Sequence, residues 1–493
     1  GFDEHLSRQQ DWNLILKYTY PSPPLYVDAF MVAYRRHPKW RQITRVNRLD
    51  ESTTPRIRRT LASYYHDGLP MRSRTPKVIT IVAWDICRNH FSKAYNLAEA
   101  LAVEHDVQLI GFRLFDEPIF PPYAQADPAF ETLYLESRNS QEFRSSLAQA
   151  VESVRGDLIY AVKPRLPSLG LALLANHHHG TPFILEVNDL ETVVSNPGQR
   201  SETGGGLAVS HVDPGSKDLD TPYSQLWSKL MEHFAGRVPF RATHNRNLDE
   251  YFGGGAFLQR NLKDEAFFDP NLYDRRQIRR ALGYEDWERI IFFGGMVRRH
   301  KGVFELVKAF ERLGEPHFKL LFVGSRETPD QRQLEQRYGS RVRILPPRDR
   351  NEMAPLTYAA DYVVLWLDPR VHASHYQMPY KLTDALAMEV PVLANRIGDL
   401  GNLVDQGIIR EVGFGDYRGL AKEILRLDND DTLRSLMTEK GRKLYLREFS
   451  YRAARVNFEL IFSQLPGRGT LPLATEFASF FANVRQKRKP AAG

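Results

Sequence analysis

The sequence contains a single cysteine, Cys87, among its 493 residues. One thiol excludes a disulfide bond within the chain and is typical of a protein from a reducing compartment. The sequence also lacks any apolar run near the roughly 20 residues that a transmembrane helix requires, and its polar start does not resemble a secretory signal peptide. These absences predict a cytoplasmic globular protein, for which 42% hydrophobic and 26% charged residues are a typical composition.

Patterns that would bind a metal are also missing from the predicted strand ends. No Asp-x-Asp pair occupies such a position, where a nucleotide-bound cation would need its ligands. Three consecutive histidines, His177 to His179, precede Gly180. They are expected to lie on a helix that stops at this glycine, and three consecutive helical residues cannot all face one ion. We therefore expect no metal and no other cofactor.

Positive charge is in excess, but it is concentrated at the two ends of the chain. The net charge is +7; residues 1–76 hold 13 Lys and Arg against 7 Asp and Glu, and "RQKRK" at 485–489 adds four positive charges. Basic ends favour contact with anionic membrane or with nucleic acid. Peripheral contact with the inner face of an anionic membrane is one interpretation, and an ordinary solvated surface is the other. No specific nucleic-acid partner is expected.

Short continuous apolar runs alternate with helical patterns from Lys77 onward. Runs that do not alternate polar with apolar residues are typical of strands buried on both faces, as in a parallel sheet covered by helices. The pattern predicts an α/β protein with two doubly wound, Rossmann-like domains. The predicted strands are 78–84, 106–112, 157–162, 182–187, 238–243, 289–295, 318–324, 342–347, 362–367 and 391–395.

Changes in composition divide the chain into four predicted segments. Residues 1–76 are a basic N-terminal extension without an assignable fold, and 77–265 and 266–448 are the two Rossmann-like domains. Residues 449–493 are expected to form a helix that crosses back to the first domain, followed by the basic tail. The stretch 195–224, rich in Gly, Ser, Pro and Asp, predicts a long mobile loop that is equally a lid over a site or a tolerated insertion.

The segment "GGMVRRHKG" runs from Gly294 to Gly302, between a predicted strand and a predicted helix. Its glycines let the backbone approach a ligand, and the helix N-terminus adds partial positive charge. The potential cations between them would repel one another unless an anion lies among them. A diphosphate meets this requirement, with Arg298 and Lys301 as its partners, and a solvated basic turn is the alternative.

A second segment, "SHYQMPYKLTDALAMEVPVLAN" (374–395), predicts a Pro-led turn, a helix from about Lys381 to Met388 and a strand from Pro391. Lys381 falls in the first turn of this helix, and Asp384 follows on the same face three residues later. One cation and one carboxylate suit a ligand that carries both phosphate and sugar hydroxyls. The alternative is that Lys381 and Asp384 pair with each other in solvent.

Both segments resemble the C-terminal domain of retaining GT-B glycosyltransferases, particularly the family-4 group. The resemblance is carried by "RRHKG" and "TDALAMEVPVLAN", covers roughly 240–446 and extends more loosely over 78–190. It implies two Rossmann-like domains that face a cleft, the first binding the acceptor and the second a nucleotide-diphosphate sugar. The donor-binding residues that it implies are Gly294, Gly295, Arg298, Lys301, Gly324, Tyr376, Pro379, Tyr380, Lys381, Leu382 and Asp384.

The chain departs from the family pattern within both segments. Met296 stands where the family often has Arg, so Arg298 is the expected phosphate partner. The family's two glutamates, eight positions apart, correspond to Tyr376 and Asp384, of which only the second keeps its charge. Without the first carboxylate, the usual sugar-hydroxyl contacts are not expected, which points to an unusual donor or a divergent acceptor.

Polar residues also follow the predicted strands of the first domain, in the region that the resemblance assigns to the acceptor. Asp189 and Glu191 are expected to orient or deprotonate the acceptor hydroxyl; the alternative for them is a helix N-cap and a first-turn acid. Together with Arg298 and Lys301, they are the expected catalytic residues. The other expected acceptor-side residues are Asp85, Arg88, Asn89, His90, Lys163, Arg165, Ser168 and Asn188.

The sequence therefore predicts a hexosyltransferase-type glycosyltransferase of polysaccharide biosynthesis that works without metal. The cations would stabilise the departing nucleoside diphosphate, and the resemblance implies that the anomeric configuration is retained. The expected partners are the nucleotide sugar and a glycan, lipid-linked or other hydroxyl acceptor. Two other classes stay open: a nucleotide-sugar epimerase on the same scaffold, and a non-catalytic relative that binds glycan or nucleic acid.

Overall fold

The structure, a computed structural model, divides the chain into two compact units, residues 1–77 with 101–106 and residues 78–100 with 107–493. In the first unit, Tyr65–His66 and Leu69–Pro70 pair as a short antiparallel ribbon. Most of the predicted extension at 1–76 and of the basic tail lies outside the described residues. The structure describes residues 65–66, 69–70, 76–195, 206–295, 302–324 and 329–486.

The first sheet of the second unit has seven strands. Its order is β3-β2-β1-β4-β5-β6-β7, so the chain starts in the middle, winds to one edge and then reverses to the other. The pairs β1–β4, β2–β3, β4–β5, β5–β6 and β6–β7 are parallel. The strands are β1 (Val78–Ala83), β2 (Asp106–Arg113), β3 (Glu131–Glu136), β4 (Leu158–Val162), β5 (Phe183–Val187), β6 (Arg241–Thr243) and β7 (Phe257–Leu258).

Helices connect these strands as a doubly wound topology requires. Their ends carry local signals: Asn139, Ser224 and Asn245 cap three of them with side-chain oxygens. Gly180 ends another in the left-handed conformation, with φ 65°. The helices are α1 (Phe91–Leu101), α2 (Ser140–Ser153), α3 (Leu171–His179), α4 (Glu191–Ser195), α5 (Gln225–Arg237) and α6 (Arg246–Tyr251).

The second sheet has six strands in the order β10-β9-β8-β11-β12-β13, and every neighbouring pair is parallel. The strands are β8 (Arg289–Gly294), β9 (Phe318–Val323), β10 (Val342–Leu345), β11 (Tyr362–Leu365), β12 (Val392–Ala394) and β13 (Arg410–Glu411). The accompanying helices are α7 (Arg275–Ala281), α8 (Val303–Leu313), α9 (Pro329–Tyr338), α10 (Arg350–Tyr358), α11 (Tyr380–Ala387), α12 (Leu400–Asp405), α13 (Tyr417–Asp428) and α14 (Asp431–Leu444).

Burial on both faces explains why the apolar runs do not alternate. In β8, Ile290 and Phe292 belong to one hydrophobic cluster, whereas Ile291 and Phe293 belong to another on the opposite face of the sheet. Because successive side chains of a strand point to opposite faces, a sheet covered on both sides buries all of them. The prediction of two doubly wound, Rossmann-like domains is confirmed.

All ten predicted strands are present, but the two parallel sheets contain three further described strands that were not predicted. The missed strands are β3, β7 and β13, and each lies at an edge of its sheet. The side chains of β3 are mostly exposed or half-buried, so this strand lacks the continuous apolar run that identifies a central strand.

The last two helices, α15 (Tyr451–Gln464) and α16 (Pro472–Gln486), pack against the first sheet and its helices. Asn457 of α15 donates a hydrogen bond to the carbonyl oxygen of Leu258 in β7, at 3.0 Å. On α16, Phe481 packs its ring 6.1 Å from the ring of Trp227 in α5. Among the described helices, none combines the length and the apolar character that crossing a bilayer would take.

The described part of the stretch 195–224 contains short helical turns. Residues 196–205 lie outside the described part of the chain, but two 3-10 turns, Val209–His211 and Lys217–Asp220, follow. Leu219 is buried, and its carbonyl oxygen accepts a hydrogen bond from the indole of Trp227 at 3.2 Å. Leu219 thus anchors the second turn to α5, and the mobility of this stretch and its role as a lid or an insertion stay predictions.

Candidate functional site

Two glycines stand side by side where β8 and β9 end. Gly295 (φ 112°) donates its backbone N–H to the carbonyl oxygen of Val323 at 2.6 Å, and Gly324 (φ 97°) donates to that of Leu345 at 3.1 Å. A Cβ on Gly324 would lie 3.3 Å from Cα of Gly295. These turns therefore need glycine both for the backbone conformation and for the close approach of the two chains.

The predicted diphosphate partners Arg298 and Lys301 lie outside the described residues, as does the rest of the loop 296–301. Gly294, the last residue of β8, and Gly295 lead into this loop. The described geometry therefore fixes where the loop leaves the sheet, which is the carboxyl edge where open α/β sheets bind ligands.

Lys381 brings a cation to the same edge. It is the second residue of α11, whose N-cap is Pro379, so it lies in the first turn, where the helix dipole is positive. Its Nζ lies 3.9 Å from the ring centre of Phe293, the residue before Gly294. The helix observed at Tyr380–Ala387 agrees with the predicted position within one residue.

Two residues that were expected to bind the donor lie in the interior instead. Asp384 is not exposed beside Lys381: its carboxylate lies 2.9 Å from Nζ of Lys263, and burial raises its pKa. Leu382 is fully buried in the core of the second sheet, and its backbone N–H donates to the carbonyl oxygen of Pro379 at 3.0 Å. Both residues hold α11 in place, and neither presents a group to a ligand.

Tyr376 and Tyr380 flank the start of α11. The ring of Tyr376 is half-buried and packs against that of Tyr251, with a centroid distance of 5.8 Å. The hydroxyl of Tyr380 is enclosed: burial raises its pKa far above the usual value, and Nζ of Lys263 lies 5.6 Å from the ring centre. The two tyrosines therefore shape the turn with their rings, and no carboxylate stands at position 376.

In the first domain, Lys163 is the centre of a buried ion-pair network at the end of β4. Its Nζ lies 2.5 Å from Oδ2 of Asp189 and 2.8 Å from Oε1 of Glu191. Burial opposes its charge, but the two carboxylates together raise its pKa. Lys163 is also one of two described non-glycine residues with positive φ, at 75°. Such a conformation is costly and is typical of functional sites.

Glu191 is enclosed by two cations. Nε of Arg165 lies 2.6 Å from its Oε2, and Lys163 holds the other oxygen. Although burial acts in the opposite direction, Arg165 and Lys163 lower the pKa of Glu191 to about 2. Its side chain is 1% exposed, whereas that of Asp189 is 25% exposed. Of these two expected catalytic acids, only Asp189 can contact a ligand directly. Glu191 is enclosed and fixes the positions of Lys163 and Arg165 through its two ion pairs.

Asp85 and His90 form a second pair, at the end of β1. Nε2 of His90 lies 2.9 Å from Oδ2 of Asp85, and the imidazole stacks on Trp84 at 4.4 Å. Burial lowers the pKa of His90 despite the neighbouring carboxylate. The guanidinium of Arg165, which holds Glu191, lies 5.1 Å from the ring centre of Trp84, so this pair adjoins the Lys163 network.

The remaining acceptor-side residues divide into those near this network and those that stabilise the turns. Asn188 is 6% exposed, and no described group donates a hydrogen bond to its Oδ1. Ser168 is fully buried, and its hydroxyl donates to the carbonyl oxygen of Lys163 at 2.5 Å. It therefore holds the strained backbone of Lys163 and does not face a ligand.

Arg88 and Asn89 lie further out, in the turn before α1. The guanidinium of Arg88 lies 3.5 Å from the ring centre of Phe115 and 3.3 Å from the carboxylate of Glu117. The carbonyl oxygen of Asn89 accepts a hydrogen bond within the turn, and its side chain is exposed. These contacts make the two residues part of a surface turn at the rim of the site.

Residues that are not among the predicted site residues join the two sheets at their carboxyl edges. Asn245, which follows β6, donates a hydrogen bond from Nδ2 to the carbonyl oxygen of Gln377 before α11, at 3.4 Å. Arg260 pairs with Asp399 and donates to the carbonyl oxygen of His244 at 2.7 Å. The end of β6 therefore meets the turn that leads to Lys381.

A pH dependence of stability follows from His244, which lies at this junction. It is buried, and burial together with Lys93 and Arg260 lowers its pKa well below the usual value. The unfolded chain binds a proton near pH 6.5, whereas the folded chain resists it. Stability is therefore complete above that pH and is lost as the pH falls below it, by up to about 1.4 kcal/mol per pH unit for this residue.

The measurement is the free energy of unfolding in urea at pH 7.5, 6.5 and 5.5. We expect His244→Asn to lose less stability over this range than the wild type, because one of the buried histidines no longer charges on unfolding. The exposed His179→Asn is the control and should keep the wild-type slope. Equal slopes for wild type and His244→Asn would contradict the prediction.

Residues 288–430 match the family model described as glycosyl transferases group 1. N-acetyl-alpha-D-glucosaminyl L-malate synthase of Bacillus anthracis is 26% identical over 204 residues, which are 40% of this chain and 51% of that protein. Capsular polysaccharide biosynthesis glycosyltransferase CapM of Staphylococcus aureus is 26% identical over 170 residues, 33% of this chain and 42% of that protein. The chain thus spans about half the length, or less, of these curated relatives.

The structure is also similar to that of Anabaena Alr3699/HepE in complex with UDP-glucose. The TM-score is 0.56 at 16% sequence identity, and the similarity covers 78% of this chain and all of that one. At this identity the likeness establishes the fold. The predicted GT-B architecture and the resemblance to GT-B glycosyltransferases are therefore confirmed, and retention of configuration stays a prediction.

Proposed function

We propose that this protein, which has the GT-B fold, transfers a sugar from a nucleoside-diphosphate donor to a hydroxyl acceptor. The proposal depends on one observation: the carboxyl edges of the two sheets, which carry different polar groups, meet at the hydrogen bond between Asn245 and Gln377. One edge offers paired glycines and Lys381, and the other offers Asp189, His90 and Lys163. A diphosphate suits the first edge, and a hydroxyl group suits the second.

On the donor side, the bare backbone of Gly295 and Gly324 would let the diphosphate approach the end of the sheet. Lys381, and by resemblance Arg298 and Lys301, would balance the charge that develops as the nucleoside diphosphate departs. Preorganised cations of this kind supply the stabilisation without a bound metal, and we propose a metal-independent reaction. The family to which residues 288–430 match and the UDP-glucose complex of the Anabaena protein support a nucleotide sugar as donor.

On the acceptor side, Asp189 would accept a hydrogen bond from the hydroxyl that attacks the sugar. Its Oδ2 is held by Lys163, so the carboxylate keeps its orientation. The leaving phosphate would receive the hydroxyl proton, as the resemblance to retaining enzymes implies, and Asp189 then needs only to orient. Closure of the cleft would exclude water and limit hydrolysis of the donor.

The names of the relatives suggest different acceptors, namely L-malate for one and a capsular polysaccharide for the other. Neither relative is similar over enough of this chain for its acceptor to be assigned to this protein. We propose a glycan or lipid-linked hydroxyl, in polysaccharide biosynthesis, with contact to an anionic membrane through the basic ends of the chain.

The decisive test is a panel of nucleotide sugars screened by thermal shift and by slow hydrolysis. We expect at least one donor to raise the melting temperature and to release nucleoside diphosphate and free sugar. An epimerase would instead convert the donor into a second nucleotide sugar without releasing nucleotide. If no nucleotide sugar binds or reacts, the proposal fails and a glycan-binding role is favoured.

Lys381→Ala tests the donor side within the described residues. A charge-assisted hydrogen bond contributes about 1.5–3 kcal/mol, so the variant should bind UDP at least about tenfold more weakly than wild type. The measurement is isothermal titration with UDP. Lys422→Ala, on the exposed part of α13, removes the same charge elsewhere and should bind UDP as the wild type does. Equal UDP affinity of Lys381→Ala and wild type would place the diphosphate elsewhere.

A further inference from the structure

The polar residues that follow β1, β4 and β5 form one cluster, which we call the acceptor cluster. Its charged members are the carboxylates of Asp85, Asp189 and Glu191 and the cations of Lys163 and Arg165. His90, whose pKa burial lowers, adds no full charge near neutral pH. The cluster therefore carries a net negative charge. Its members are Asp85, His90, Lys163, Arg165, Asn188, Asp189 and Glu191.

Both cations of the cluster are already neutralised. Lys163 shares its charge between Asp189 and Glu191, at 2.5 and 2.8 Å. Arg165 holds Glu191 and also donates to the hydroxyl of Ser228 at 2.6 Å. Among the described residues at the rim, Arg88 is paired with Glu117. An anionic ligand would therefore have to compete with carboxylates that are fixed within the fold.

The charged group of the cluster that a ligand can reach is the carboxylate of Asp189. Asp189 uses Oδ2 for Lys163, and a quarter of its side chain is exposed. Asn188, its neighbour in the chain, is more than nine-tenths buried, and its Oδ1 is enclosed, so a ligand does not reach this oxygen. A carboxylate oxygen can only accept hydrogen bonds, so Asp189 requires a ligand that carries O–H or N–H groups.

We propose that the acceptor cluster selects an acceptor that is uncharged or cationic where it binds, such as the vicinal hydroxyls of a neutral sugar or an amino sugar, and rejects carboxylates and phosphates there. This inference rests on the proposed function and adds the chemical class of the acceptor to it. A hydroxyl group can donate to Asp189, whereas an ionised carboxylate or phosphate diester has no proton to donate.

The size of the selection follows from Coulomb's law. A like charge about 4 Å from Asp189, at the effective dielectric constant of about 20 found near protein surfaces, weakens binding by roughly 10²- to 10³-fold. Lys163 compensates part of this repulsion. We therefore expect at least about a 30-fold preference for a neutral over an anionic acceptor of the same shape.

The experiment uses the full chain and the donor that the nucleotide-sugar panel identifies. The acceptors are octyl glucoside, octyl glucosaminide and octyl glucuronide, which differ in charge on one scaffold. Transfer is measured as glycosylated product, and hydrolysis of the donor by water is measured in the presence of each compound. Where no product forms, a bound acceptor analogue still competes with water and slows hydrolysis.

We expect the glucoside and the glucosaminide either to be glycosylated or to slow the hydrolysis of the donor. The glucuronide should be glycosylated, or should slow hydrolysis, at least about 30-fold more weakly. Asp189→Asn should reduce this preference to less than about tenfold, because the repelling charge is gone while the shape is kept. Asp405→Asn, an exposed acid paired with Arg396 in the second domain, changes the net charge equally and should keep the preference.

Two results separate this inference from the function on which it rests. If no nucleotide sugar is turned over at all, the glycosyltransferase proposal itself fails. If a donor is turned over, three results would show that the proposed acceptor class is wrong while the transferase proposal stands. The three compounds could act equally, none could have an effect, or the glucuronide could act most strongly.

Discussion

Replacing Lys301 by alanine is expected to lower the turnover of the nucleotide sugar about 100- to 1,000-fold. Removal of one preorganised group that stabilises developing negative charge typically costs this much. Lys301 lies outside the described residues, and its assignment depends on the motif "RRHKG" within the matched region 288–430. The described neighbours, Gly295, Gly324 and Lys381, place the start of that loop at the edge where the diphosphate is proposed to bind.

The measurement is kcat for donor turnover, with thermal unfolding as a check on folding. Lys301→Ala should unfold at the wild-type temperature without ligand and should be stabilised less by UDP, because stabilisation by a ligand depends on its affinity. Lys308→Ala, an exposed lysine on α8, is the matched control and should turn over donor normally. A Lys301→Ala protein that keeps more than about a tenth of the wild-type kcat would mean that another group stabilises the leaving diphosphate.

The sequence predicted the central strands because their environment leaves a simple pattern. A strand covered on both faces has no polar positions, as in "RIIFF" of β8 and "KLLFV" of β9. Edge strands have a neighbour on one side only and expose part of their surface, so "ETLYLE" of β3 carries mixed polar and apolar residues. Their pairing is decided by the neighbouring strand and not by their own composition.

The site was predictable where one short segment determines it. The motif around Lys381 places a cation in the first turn of a helix, and the structure keeps it there. The fate of Asp384 was not predictable in this way, because its partner Lys263 lies 121 positions earlier in the chain. The same holds for Glu191, whose enclosure by Lys163 and Arg165 depends on how β4 and β5 are paired.

One signal in the sequence would have revealed a further buried pair. Glu186 interrupts the apolar run "FILEV" of β5, and a carboxylate within a strand buried on both faces needs a partner. The structure supplies it as Lys93 of α1, whose Nζ lies 2.8 Å from Oε1 of Glu186. Lys93 also donates to the backbone carbonyl oxygens of Gln259 and Arg260, at 3.1 and 2.6 Å, in the segment that links the two sheets.

Lys93→Met is therefore expected to lower the free energy of unfolding by about 3–5 kcal/mol at pH 8. Removal of one partner of a buried ion pair leaves the other charge uncompensated, and the cost is of this size. Both side chains are almost fully buried, and burial lowers the pKa of Lys93 and raises that of Glu186, so each depends on the other to stay charged. Methionine keeps the length of the lysine stem, which limits the loss of packing.

The pH dependence of this loss distinguishes an uncompensated carboxylate from a packing defect. Without Lys93, the folded-state pKa of Glu186 should rise further above its unfolded value near 4.5. The folded protein then binds the additional proton, so the stability of Lys93→Met falls as the pH rises from 4.5 through the folded-state pKa. Urea unfolding should accordingly show a larger difference from wild type at pH 8 than at pH 5.5.

The double variant Lys93→Met/Glu186→Gln completes the test. A neutral amide of the same shape carries no charge that requires a cation, so the double variant should recover about half of the lost stability and lose the added pH dependence. If the double variant is as unstable as Lys93→Met at every pH, the loss comes from the broken hydrogen bonds to Gln259 and Arg260. In that case Lys93 stabilises the fold by bridging the first sheet to the segment that links the domains, and its ion pair with Glu186 adds little.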